Sequence, residues 1–187
     1  RSRMYDLLIR RGTVIDPSQG LHAVNDVAVE NGRIARVASS ISIEEASRVI
    51  DVRGKVVTPG LIDVHTHIYD GVNWMGVEPD IGGVRAGVTT MVDAGSAGCD
   101  TFGGFPRHIV PNNRTEIICF LHICRTGLAT RPDIFSTASI DLEQTVRVAS
   151  ENRGLIAGIK ARMVSPALEI MGMEMPRLAK QAAKEAG

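Results

Sequence analysis

After Pro59 the chain alternates strand-length apolar runs with helix-length segments, and that alternation constrains the fold more than any other feature. The predicted strands are 61–67, 88–94, 116–123 and 155–160. The helix after the third has Asp141 as N-cap, Leu142, Val146 and Ala149 on one face, and Gly154 just beyond its end. The helix after the fourth starts near Pro176 and turns Leu178, Ala179, Ala182, Ala183 and Ala186 inward. Four βα units in succession predict a parallel α/β fold. A complete (β/α)8 TIM-type barrel needs roughly 250 residues, and 59–187 supply about half. The expectation is therefore the first four βα units of such a barrel, with an open four-stranded sheet as the alternative. A half barrel has an open edge, and Leu61, Val92 and Ile159 are expected to lack partners.

Residues 1–58 have a different texture, that of a small β-sandwich portion. Short strands flank a predicted turn at Arg11-Gly12. The Asn31-Gly32 pair between two alternating runs predicts a hairpin. A second hairpin is expected from Val49-Ile50-Asp51-Val52 and Val56-Val57 around Arg53-Gly54-Lys55. The Arg1-Ser2-Arg3 leader precedes Met4, which reads as a natural start.

Composition narrows the function classes. Among 187 residues, 21 basic side chains balance 21 acidic ones. With no cluster of Lys or Arg, nucleic acid and anionic membranes are not expected partners. No apolar run approaches the roughly 18 residues of a membrane span. Cys99, Cys119 and Cys124 have no zinc-finger spacing and suit a reducing cytoplasm better than a disulfide framework.

The chemistry concentrates on the first barrel strand. A strand has a side-chain period of two, so Asp63, His65 and His67 share a face with Leu61, while Ile62, Val64, Thr66 and Ile68 point the other way. Cα atoms two residues apart lie roughly 7 Å apart, close enough for two imidazoles to hold one ion. Neutral His is the commonest metal ligand and suits zinc. The opposite face is apolar, so the strand is expected to be buried on both sides. Buried His and Asp side chains need partners, and a cation supplies one. The alternative is a pair of satisfied core or surface histidines. The run 155–160 ends in Lys160, at the strand end where barrel active sites are built. Such a lysine either snorkels into solvent or, carboxylated by carbon dioxide, becomes an anion able to bridge two metal ions.

Thr58-Pro59-Gly60-Leu61-Ile62-Asp63-Val64-His65-Thr66-His67 resembles the first-strand signature of the amidohydrolase superfamily. Ala86-Gly87-Val88-Thr89-Thr90-Met91-Val92-Asp93-Ala94-Gly95-Ser96-Ala97-Gly98 and Gly158-Ile159-Lys160-Ala161-Arg162 narrow the resemblance to its amidohydrolase/deacetylase, or dihydroorotase-like, branch. The resemblance spans the chain and implies a (β/α)8 barrel, with 59–187 as its first half, beside a flanking β-sandwich. It implies two divalent metals, zinc, with His65 and His67 on one of them and carboxylated Lys160 bridging both. Two further histidines, and an aspartate serving as ligand and general base, are expected beyond residue 187. The catalytic base is therefore unassigned, and these 187 residues alone are expected to be inactive.

Other side chains have two readings each. Asp63 orients a ligand His through its second ring nitrogen or is a strand-start turn residue. Asp93 faces the pocket or caps a loop. His122 contacts substrate or is satisfied in the core. Arg162 holds a substrate carboxylate or a structural salt bridge. His22 and His108 are expected at the surface. The expected function is hydrolysis of C–N bonds, as a deacetylase or amidohydrolase of a small N-acyl or O-acyl compound. The alternatives are a cyclic amide hydrolase of dihydroorotase or hydantoinase type, and a metal-free assembly subunit. His65, His67 and Lys160 argue against the last. The expected partners are a small-molecule amide or ester and further copies in a homo-oligomer, with the other barrel half as further chain or a separate polypeptide.

Overall fold

The computed structural model describes residues 4–187, so the Arg1-Ser2-Arg3 leader lies outside the described residues. The chain divides into two units, one ending at Pro59 and the other spanning Gly60–Gly187.

The first unit is one five-stranded sheet. It comprises β1 (Leu7–Asp16), β2 (Leu21–Glu30), β3 (Arg33–Ala38), β4 (Val49–Asp51) and β5 (Val56–Val57). The order is β3-β2-β1-β4, with β5 also on β1. The β2–β3 hairpin turns at Asn31 and Gly32, whose φ values of 52° and 71° suit the Asn-Gly pair. Two expectations are corrected. Arg11-Gly12 is a β-bulge inside β1, where the register with β2 shifts between Ile9 and Gly12. Asp26 holds it there, accepting from the Arg11 N–H at 2.8 Å and the Ile41 N–H at 2.9 Å. Nor do β4 and β5 form a hairpin. Both run parallel to β1, β4 beside Leu8, Ile9 and Arg10 and β5 beside Thr13 and Val14. The bulge bends β1 between these stretches, and each takes its own short strand.

The second unit carries a parallel sheet in the order β6-β7-β8-β9, made of β6 (Leu61–Thr66), β7 (Val88–Asp93), β8 (Glu116–His122) and β9 (Ile156–Lys160). Its strands match the predicted ones to within a residue or so. The expected run of four full helices is corrected. Between β6 and β7 there is only the short α1 (Pro79–Gly82) and a 3-10 turn, and between β7 and β8 a π-helical turn at Phe105–Ile109 followed by a 3-10 turn at Val110–Asn112. Gly82, Gly83, Gly87, Gly103, Gly104, Pro106 and Pro111 break the helical pattern in those segments. Full helices follow later, as α2 (Leu142–Glu151), then the short α3 (Ala167–Met171) and α4 (Glu174–Ala186). The Asp141 side chain accepts from the Gln144 N–H at 2.9 Å and starts α2 as predicted. On α4 the buried stripe is Met175, Ala179, Ala182 and Ala186, not the expected Leu178 and Ala183.

The sheet does not close, and β6 and β9 are its ends. Ile62 and Val64 are 59% and 68% exposed, against the expectation of a strand buried on both sides. The well-formed helices pack at the β9 end of the sheet, leaving the outer face of β6 uncovered. Leu61 is exposed as expected and Ile159 half-buried. Val92 is buried, since β7 has neighbours on both sides. Among the described residues no helix is long and apolar enough to cross a membrane.

Candidate active site

The four parallel strands end side by side, so chemistry carried at their C-terminal ends meets along one edge. His65 and His67 have ring centroids 5.8 Å apart with planes at 76°. His67 Nδ1 lies 3.0 Å from Ser96 Oγ, which accepts from Asn73 Nδ2 at 2.9 Å. A hydroxyl oxygen has two lone pairs and can accept from both, which leaves the His67 Nε2 lone pair open. Burial holds the His67 imidazole pKa below its usual value, and the positive charge of Lys160 and Arg162 adds to this while Asp93 opposes it. The neutral ring is the form a metal needs.

Asp93 is fully buried and caps the loop after β7. Its Oδ1 accepts from the N–H groups of Gly95 at 3.0 Å and Ser96 at 2.6 Å, and its Oδ2 from Ile68 N–H at 3.0 Å. These bonds fix Ser96 under His67. Lys160 lies across the same loop, because a Cβ on Gly95 would stand 2.7 Å from its Cγ. Asp63 is exposed, and its carboxylate accepts from the backbone N–H of His65 at 3.1 Å, a contact to the main chain and not to a ring.

His122 is completely buried. Its Nδ1 accepts from the Cys124 N–H at 2.9 Å, and its Nε2 faces Asp133 Oδ2 at 3.4 Å. The alignment across that gap makes no hydrogen bond, and neither facing atom has another partner. Arg162 Nη1 reaches Asp133 Oδ1 at 3.3 Å. Burial raises the Asp133 pKa, but His122 and Arg162 outweigh it and hold the carboxyl below its usual range. His122 and Arg162 are thus joined through Asp133. His22 and His108 are exposed.

Sequence reading missed Ser96, Asn73 and Asp133. The first had a signal, since Asp93-Ala94-Gly95-Ser96 is an Asp-initiated turn at a strand end. Asp133 sits 29 positions from Arg162, and no local pattern announces it. Among the described residues no three His, Cys, Asp or Glu side chains converge to hold a metal ion. Two imidazoles fit part of a metal site.

The Amidohydrolase family profile matches residues 48–105. A deacetylase of Agrobacterium fabrum is 34% identical over 157 residues, which is 82% of this chain and 39% of that protein. The chain belongs to the amidohydrolase superfamily. A dihydroorotase of Trichlorobacter lovleyi is 44% identical over 84 residues, 44% of this chain and 19% of its own length. The crystal structure of a dihydroorotase superposes with a TM-score of 0.83 at 29% identity, covering 96% of this chain and 48% of that one. The chain therefore spans less than half the length of these relatives. Its α/β sheet is a partial, unclosed barrel of the amidohydrolase TIM-barrel type, a superfamily that is generally metal-dependent.

Proposed function

We propose that this chain forms part of a metal-dependent hydrolase of C–N bonds, a deacetylase or amidohydrolase acting on a small N-acyl or O-acyl compound. The observation that carries the reading is the His65–His67 pair, 5.8 Å apart at the end of a parallel strand, with His67 anchored by Ser96. His65 and His67 would hold one zinc, and Lys160, as its carbamate, would bridge two. Bound there, divalent cations polarise a carbonyl and lower the pKa of water. The protein's own residues orient the site. Ser96 and Asn73 fix one imidazole, Asp93 fixes their loop, and Gly95 leaves room for the Lys160 stem. In this reading residues 1–58 are a β-sandwich portion and 59–187 the first half of the barrel, in a cytoplasmic homo-oligomer. The three free cysteines suit that compartment.

A cyclic amide hydrolase is the second reading, favoured by the match to a dihydroorotase. With the complete barrel assembled, assays with N-acetyl amino acids, O-acetyl hydroxy acids and dihydroorotate separate the two. Zinc content of the His65→Ala variant tests the common core. Wild-type metal content in that variant would refute the assignment.

A further inference from the structure

Beyond the histidine pair, the loops after β8 and β9 enclose an open cavity of about 440 Å³ lined by Arg131, Pro132, Asp133, Arg162, Ser165 and Pro166. That volume falls in the range of small-molecule sites. Its lining carries two guanidinium groups against one carboxylate. Arg162 is held on one side by Asp133, whose side chain is buried and cannot turn outward. Arg131 forms no ion pair among the described residues. Its guanidinium instead lies over the Trp74 ring, 4.5 Å from the centroid. One unit of positive charge in the cavity therefore has no protein counter-charge. A planar guanidinium pair matches a carboxylate better than it matches a point charge.

The cavity's location ties it to the proposed chemistry. Arg162 follows Lys160 by two residues past the end of β9. Trp74 follows Asn73, which bonds Ser96 beside His67. We propose that Arg131 and Arg162 bind the carboxylate of the substrate, so that the compound hydrolysed is an N-acyl or O-acyl derivative of a carboxylic acid. The proposal deepens the hydrolase reading and rests on it for the position of the bond broken. A purely structural Arg162–Asp133 pair gives Arg131 no such role.

Trp74 is the chain's only tryptophan, and its emission therefore reports on Arg131. The test is a fluorescence titration of the 187-residue chain without added metal, using N-acetylglycine and its uncharged analogue N-acetylglycinamide. N-acetylglycine should give a saturable change, with the amide at least about tenfold weaker, the scale of one charge-assisted hydrogen bond. Arg162→Gln should weaken the anion by a similar factor, and calorimetry should give the same loss in Arg131→Gln. Arg131 is exposed and unpaired, so its variant decides the matter even if Arg162→Gln fails to fold. Equal binding of the amide, or unchanged affinity in Arg131→Gln, would overturn the proposal. Inorganic phosphate binding as tightly as N-acetylglycine would overturn the carboxylate assignment. Anion binding that depends on both arginines, together with wild-type zinc content in His65→Ala, would sink the hydrolase reading alone. Zinc held through His65, with N-acetylglycine bound no better than its amide, would sink this one alone.

Discussion

Lys160 rests on Gly95 so closely that a Cβ at position 95 would stand 2.7 Å from its Cγ and 2.8 Å from its Cβ. Gly95 also has a φ of 91°, a backbone state that L side chains rarely adopt. Gly95→Ala should therefore push the Lys160 stem aside and strain the loop, at a stability cost of about 1–3 kcal/mol. If Lys160 belongs to the metal site, metal content should fall by more than that strain explains. Urea unfolding and metal analysis on the same preparation compare the two. Full metal retention in a folded Gly95→Ala protein would separate Lys160 from the site.

Ser96 is the group that orients His67. Removing its hydroxyl in Ser96→Ala leaves the ring free to rotate and Asn73 Nδ2 without its acceptor. Loss of a partner behind a ligand histidine typically lowers metal affinity about 10–100-fold. Zinc competition against a chromophoric chelator measures that change. An affinity equal to wild type would mean that Ser96 does not act on a ligand.

These contacts show where sequence reading reached and where it stopped. The four parallel strands were legible because each is a strand-length stretch rich in apolar and β-branched residues, and α2 because Asp141 announces its start. The shared face of His65 and His67 followed from the strand period alone. The β4–β5 pairing was misread because Arg53-Gly54-Lys55 looks like a hairpin turn, whereas the bulge in β1 draws both short strands to itself. Exposure of Ile62 and Val64 was hidden because an apolar strand pattern does not say whether a covering layer exists. Asp133 meets His122 and Arg162 only through the fold, so no spacing in the chain encodes that link.

Asp26 supports a pH-dependent prediction for the first unit. Burial raises its pKa, but the Ile41 and Arg11 N–H groups together with Arg10 outweigh burial and hold it below 3.8. A carboxyl with a depressed folded pKa stabilises fully above its unfolded value. That contribution fades as pH falls below about 4 toward the folded value. Asp26→Asn should cost about 1–3 kcal/mol at neutral pH, and the gap to wild type should shrink in acid. Denaturant melts at pH 7 and pH 3 give both values. A gap that is constant with pH would show that the charge of Asp26 is not what matters.

The uncovered strand β6 predicts how the 187 residues behave by themselves. Leu61, Ile62 and Val64 are 54%, 59% and 68% exposed on a strand with a partner on one side only. An apolar, half-paired strand is a template for pairing with another copy. Covering large apolar side chains is worth roughly 1.5–3 kcal/mol each, so two or three of them can drive association at ordinary protein concentrations. The chain alone is expected to self-associate and to bind a hydrophobic dye. Lysine on a free edge strand is a common natural protection, so the double variant Ile62→Lys, Val64→Lys should suppress both effects. Because neither side chain is buried, its thermal midpoint should stay within a few degrees of the parent, the range expected for surface changes. Light scattering and a thermal melt suffice to check this. Undiminished association in the double variant would locate the adhesive surface elsewhere, and a collapsed midpoint would mean that β6 is covered in solution.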